Sequence, residues 1–69
     1  MNRAIIGAKL RTLRGKTPRA DVAKACGISV SAIQMYETGE RIPSDDVKIS
    51  LAKFFGDTVG SLFFDENDH

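Results

Sequence analysis

Hydrophobic side chains recur at intervals of three and four along the chain, and glycine or proline separates each run from the next. This spacing is typical of amphipathic α-helices. No segment alternates with the period of two that would indicate a β-strand. The pattern predicts an all-α protein with four helices and a last helical turn. The expected ranges are 3–14, 18–26, 30–38, 45–55 and 59–63.

Each predicted helix carries apolar residues that are expected to face one shared core. These residues are Ile6, Leu10 and Leu13 in the first helix, Val22, Ala23 and Cys26 in the second, Ile33 and Tyr36 in the third, and Val47, Leu51, Ala52 and Phe55 in the fourth. A chain of 69 residues suffices for one domain. Residues 1–64 are expected to form that domain, and the acidic residues 65–69 a frayed tail.

The signals at the helix ends predict a sharp turn between the second and third helices. Thr17 is expected to cap the second helix, with Pro18 at its first helical position, and Gly27 to close it. Ser29 follows at once as the expected cap of the third helix. Two short helices separated by so few residues must cross steeply, which is the helix-turn-helix geometry. Ser44 or Asp45 is expected to cap the fourth helix.

The segment from Val22 to Gly39, VAKACGISVSAIQMYETG, resembles the Cro/CI-type helix-turn-helix family, to which phage repressors belong. The resemblance continues through Arg41-Ile42-Pro43-Ser44 and Leu51-Ala52-Lys53-Phe54-Phe55-Gly56 to Leu62-Phe63. It implies a compact five-helix bundle of the lambda-repressor-like type. It also implies a small transcriptional regulator, a repressor, that binds specific double-stranded DNA with its third helix in the major groove.

The resemblance assigns roles to individual side chains. With Ile33 anchoring the inner side of the third helix, its outer side is expected to contact bases through Val30, Ser31, Gln34 and Met35. Phosphate contacts are expected from Thr17, Arg19, Ser29, Thr38 and Arg41. Glu37 is expected to pair with Arg14 of the first helix as a structural clamp. The chain departs from the family in having Pro18-Arg19 where Ser or Thr followed by Gln is common, and in having Gln34 as the only long polar side chain on the outer side.

The charge distribution bears on the partner more than the net charge of +1 does. Residues 1–24 carry seven basic residues against Asp21, and the remainder carries three against eight acids, which gives +6 and −5. This asymmetry fits a basic face turned toward a polyanion, and it equally fits two solvated helix faces.

Two other classes of function compete with a DNA-binding dimer. The same fold can serve as a protein–protein module of the antitoxin or adaptor kind, but the acid-free outer side of the third helix favours DNA. An enzyme is not expected, because no Cys-His, Ser-His or paired-acid arrangement is evident. No cofactor or metal is expected either. Cys26 is alone, and no run of residues is apolar enough for a membrane span, so a cytoplasmic protein is predicted.

Assembly is the last expectation. One short helix contacts only a few base pairs, so two copies related by a two-fold axis are expected to bind paired half-sites. The four phenylalanines exceed what a small core can hide, and some are expected on a dimer surface. The expected dimer interface comprises Val59, Leu62, Phe63 and Phe64.

Overall fold

Five α-helices are present in residues 2–64, the part of the chain that this computed structural model describes. They are α1 (Arg3–Arg14), α2 (Arg19–Cys26), α3 (Val30–Thr38), α4 (Asp45–Phe55) and α5 (Val59–Phe63). No strand occurs within residues 2–64. The all-α prediction is confirmed, and four of the five predicted ranges agree with the structure.

Side-chain caps explain why most of these boundaries could be predicted. Asn2, Ser29, Ser44 and Thr58 each accept a hydrogen bond from a first-turn amide, at the starts of α1, α3, α4 and α5. The expectation for α2 is wrong. Pro18 itself occupies the N-cap position, and no side chain caps this helix. Thr17 therefore lies one residue too early to cap α2.

The core lies where the five helices meet. Its apolar members are Ile6, Leu10, Val22, Ala23, Ile33, Tyr36, Leu51, Ala52, Leu62 and Phe63. Leu13, expected in the core, is instead 40% exposed. It lies beside an open groove of about 470 Å³ between α1 and α5, because the short α5 does not cover this part of α1.

The last helix folds back against α1 and α4, and this corrects the expected dimer interface. Leu62 and Phe63 are fully buried, with 1% and 0% of their surface exposed, so they belong to the core of one chain. Val59 is half-buried, and Phe64 is 54% exposed. Only Val59 and Phe64 of the four expected interface residues offer surface to a partner.

Lys48 of α4 is a buried residue that the sequence analysis did not single out. Its Nζ lies 4.9 Å from the ring centroid of Phe64 and 5.9 Å from that of Phe63. An aromatic face attracts a cation, so the two rings stabilise a lysine in this position. Within residues 2–64, Lys48 pairs with Asp45, whose carboxylate oxygen lies 3.7 Å from Nζ on a side chain that is 96% exposed. Lys48 thus holds the end of α5 against α4.

The acidic tail predicted at 65–69 lies outside the described residues. Within residues 2–64, none of the helices is both long and apolar enough to span a membrane.

Candidate nucleic-acid interface

A left-handed glycine makes the turn between α2 and α3. Gly27 has φ +68° and ψ +33°, a conformation that costs glycine little and other residues more. The amide of Ile28 donates to the carbonyl of Ala23 at 2.9 Å, which closes the end of α2. The Oγ of Ser29 then accepts from the amide of Ala32 at 3.0 Å and starts α3. Three residues therefore separate two helices that pack on each other, and the small side chain of Ala23 in α2 is buried.

The two sides of α3 differ as expected. Ile33 and Tyr36 are buried against the other helices. On the opposite side Val30, Ser31 and Gln34 are exposed, and Met35 is half-buried. The exposed surface of α3 thus combines one amide, one hydroxyl and apolar groups. Such a set can form hydrogen bonds with base edges and pack against thymine methyl groups.

Glu37 is absent from that exposed surface because its side chain turns inward, where it is only 3% exposed. One of its oxygens, Oε2, accepts from Nε of Arg14 at 2.5 Å, while Oε1 accepts from Nη2 of Arg14 at 3.1 Å. Arg14 also donates from Nη1 to the carbonyl of Thr17 at 3.0 Å. This pair joins the end of α1 to the end of α3, and Arg14 also fixes the α1–α2 loop at Thr17.

A second arginine, Arg19, binds the same carboxylate. Its Nε and Nη2 donate to Oε1 of Glu37 at 3.2 and 3.1 Å. Burial alone would raise the pKa of the Glu37 carboxyl, but the hydrogen bonds and charges of Arg14 and Arg19 outweigh it and hold that pKa below its ordinary value. The hydrogen bond to Glu37 raises the pKa of the Arg14 guanidinium. Both shifts favour the charged forms of Glu37 and Arg14.

The hydroxyl groups that are expected to contact phosphates differ in whether their protons are free to donate a hydrogen bond. The Oγ of Ser29 accepts a hydrogen bond, so its own proton remains available to a phosphate. The Oγ1 of Thr38 donates its proton to the carbonyl of Met35 at 3.2 Å, and a phosphate would have to displace that bond. Thr17 is half-buried, and Arg41 is exposed in the α3–α4 loop.

Gly7 is a structural requirement that the sequence analysis missed. A Cβ placed on this buried residue would overlap the backbone carbonyl groups of Tyr36 and Glu37. The absent side chain lets α1 approach the last turn of α3. That approach brings Arg14 and Glu37 within bonding distance at the other end of α1.

A helix, a three-residue turn closed by a left-handed glycine, and a second helix with a solvent-facing outer side together define a helix-turn-helix protein. Residues 8–58 match the family model described as Helix-turn-helix. The chain therefore belongs to the helix-turn-helix family of Cro/CI type, a family of DNA-binding regulators. No curated protein and no solved structure matches the chain.

Proposed function

We propose that this chain is a sequence-specific regulator of transcription, a repressor, that places α3 in the major groove of double-stranded DNA. The observation that carries the proposal is the outer side of α3. It is exposed, and it carries no carboxylate because Glu37 is buried between two arginines. A carboxylate on this side would be repelled by the phosphates that line the groove. Occupying an operator is sufficient for repression.

Base recognition rests mainly on Gln34 in this proposal. Its side-chain oxygen Oε1 can accept a hydrogen bond from the N6 amino group of adenine, and its Nε2 can donate one to N7, so Gln34 pairs with adenine through two hydrogen bonds. Val30 and Met35 supply apolar contacts to thymine methyl groups, and Ser31 supplies a hydroxyl. With one long polar side chain in the set, part of the preference is expected to come from DNA shape.

Phosphate contacts are proposed at both ends of the recognition unit. Arg19 and Thr17 lie at the start of α2, Ser29 at the start of α3, and Thr38 and Arg41 at its end. The start of α2 suits an anion because no side chain caps it, and the first amides of a helix have no partner within the helix. Such contacts fix the register of the protein on DNA and make the affinity depend on salt.

A homodimer on DNA completes the proposal. Residues 1–64 act as the binding domain, and two copies contact half-sites about one helical turn, ~34 Å, apart. Since Leu62 and Phe63 are buried, the proposed contact now rests on the exposed Phe64 and the half-buried Val59. Phe64 is the most exposed large hydrophobic residue within residues 2–64.

Gln34→Ala is expected to reduce the preference for one base position by roughly 1–3 kcal/mol, whereas Arg41→Ala should weaken binding to all sequences about equally. The first change removes a base contact and the second a phosphate contact. The bound sequences are first selected from a random duplex pool, and each variant is then titrated with the selected duplex and with a random one. Equal losses on both duplexes for Gln34→Ala would refute base contact by this residue.

Phe64→Asp is expected to abolish cooperative binding to a palindromic site while the monomer stays folded. A charge replaces the apolar group at the proposed contact. The position is half-exposed, and a carboxylate there can pair with the ammonium of Lys48 in place of the lost ring, so the fold tolerates the change. The measurement is a mobility-shift titration on a site with two half-sites, with circular dichroism as the test of folding. Ile49→Asp, at a residue of α4 that is 46% exposed, is the matched control and should bind cooperatively. Cooperative binding by Phe64→Asp would show that the dimer contact lies elsewhere on the protein.

A further inference from the structure

The cluster of Arg14, Arg19 and Glu37 contains two guanidinium groups and one carboxylate, so it carries a net charge of +1. The excess charge is not shared evenly between the arginines. Arg14 uses Nε and Nη2 on Glu37 and Nη1 on the carbonyl of Thr17, and its side chain is 13% exposed. Arg14 is therefore committed to the protein on every nitrogen.

Only one edge of the Arg19 guanidinium forms hydrogen bonds with the protein. Its Nε and Nη2 meet Oε1 of Glu37, and its side chain is 34% exposed. A guanidinium has five N–H donors in a fixed plane, so two bonds to Glu37 leave three donors, two of them on Nη1. Within residues 2–64, Nη1 of Arg19 has no hydrogen-bond acceptor. One edge of Arg19 is thus held, while the other edge of this partly exposed side chain has no partner among the described residues.

We propose that Glu37 is a positioning residue for DNA binding: by holding one edge of Arg19, it fixes the opposite edge for a backbone phosphate at the start of α2. This inference rests on the proposed DNA-binding function. A free arginine loses rotamer freedom when it binds, and an arginine that is already fixed loses less. Glu37 touches no DNA in this arrangement, and it acts through Arg19.

The proposal predicts that Glu37→Gln changes the affinity for DNA in the direction opposite to that expected from charge alone. Glu37→Gln removes a negative charge near the proposed interface, so charge alone would tighten binding to DNA. If Glu37 positions Arg19, the same change weakens binding instead, because Arg19 loses its fixed orientation. Glu40→Gln is the matched control: it removes a negative charge from an exposed side chain two residues beyond α3, without an arginine partner on that side chain.

The experiment measures the dissociation constant for one selected duplex over a series of salt concentrations, at a temperature where circular dichroism shows every variant folded. We expect Arg19→Gln to weaken binding about tenfold and to reduce the log–log salt slope by about 0.9, the value for one lost phosphate contact. Glu37→Gln should reproduce both changes, although it removes a negative charge from the protein. The double variant should lose little beyond either single one, and Glu40→Gln should bind at least as tightly as the unmodified chain.

Each outcome decides one question. If Glu37→Gln binds as tightly as the unmodified chain or more tightly, with an undiminished salt slope, Glu37 does not position Arg19. The same holds if the effects of Arg19→Gln and Glu37→Gln simply add, because independent residues would behave in that way. If the unmodified chain binds no duplex even at low salt, the proposed function itself fails, and this result is distinct from the other two.

Discussion

Replacing Glu37 with alanine is expected to lower the free energy of unfolding by about 3 kcal/mol. The change leaves the Arg14 guanidinium, 13% exposed, without its carboxylate, and it also removes the partner of Arg19. An uncompensated buried charge costs far more than a lost surface pair. Urea unfolding followed by circular dichroism measures the effect. Glu40→Ala removes an exposed carboxylate from the same region and should change the stability little.

The pH dependence of stability provides an independent check on the same pair. The pKa of Glu37 is lower in the folded chain than its ordinary value of 4.5, so its ionised form stabilises the fold. That contribution is fully present above pH 4.5 and is lost as the pH falls through the lower folded pKa. The stability difference between the unmodified chain and Glu37→Gln should therefore shrink below pH 4.5. If this stability difference stays constant down to the pH at which the protein unfolds in acid, the ion pair of Glu37 does not stabilise the fold.

Gly7→Ala is expected to destabilise the fold by about 2–3 kcal/mol, although alanine is the better helix former. The added Cβ would overlap the carbonyl groups of Tyr36 and Glu37, so α1 and α3 must move apart. Gly60→Ala is the matched control, since Gly60 is also helical but exposed, and its nearest atom to an added Cβ is the Oγ1 of Thr58 at 4.0 Å. The control should gain about 0.5 kcal/mol from helix propensity. Equal or better stability in Gly7→Ala would show that the helices can separate at no cost.

Local chemistry is why so much of the fold could be predicted from the sequence. Ser29, Ser44 and Thr58 mark helix starts by a bond within their own first turn, and Gly27 marks an end by its own backbone conformation. None of these signals depends on distant parts of the chain. The inner side of α3 could be predicted equally well from the sequence, because Ile33 and Tyr36 lie three residues apart on one face.

The features that were missed or mistaken depend on distant contacts. Leu62 and Phe63 are buried because α5 folds back on α1 and α4, which no pattern within five residues indicates. Gly7 is required because a side chain there would overlap the backbone of α3. Arg19 is held by a hydrogen bond to Glu37, which lies eighteen residues further along the chain. Lys48 did carry a local signal. It precedes Leu51 and Ala52 by three and four residues and so lies on the inner side of α4.

The central claim is that the outer side of α3 contacts DNA. The side chain of Gln34 tests this claim directly. Gln34 is the single glutamine of the chain, so its side-chain amide gives an identifiable pair of nitrogen-15 correlation signals. On addition of the selected duplex, we expect these signals and the backbone amides of residues 30–35 to shift strongly, with smaller changes for Gln34 on a random duplex. If the shifts fall instead on the α1–α5 groove, around Ile5, Leu13 and Ser61, while the Gln34 amide stays unmoved, the claim is contradicted.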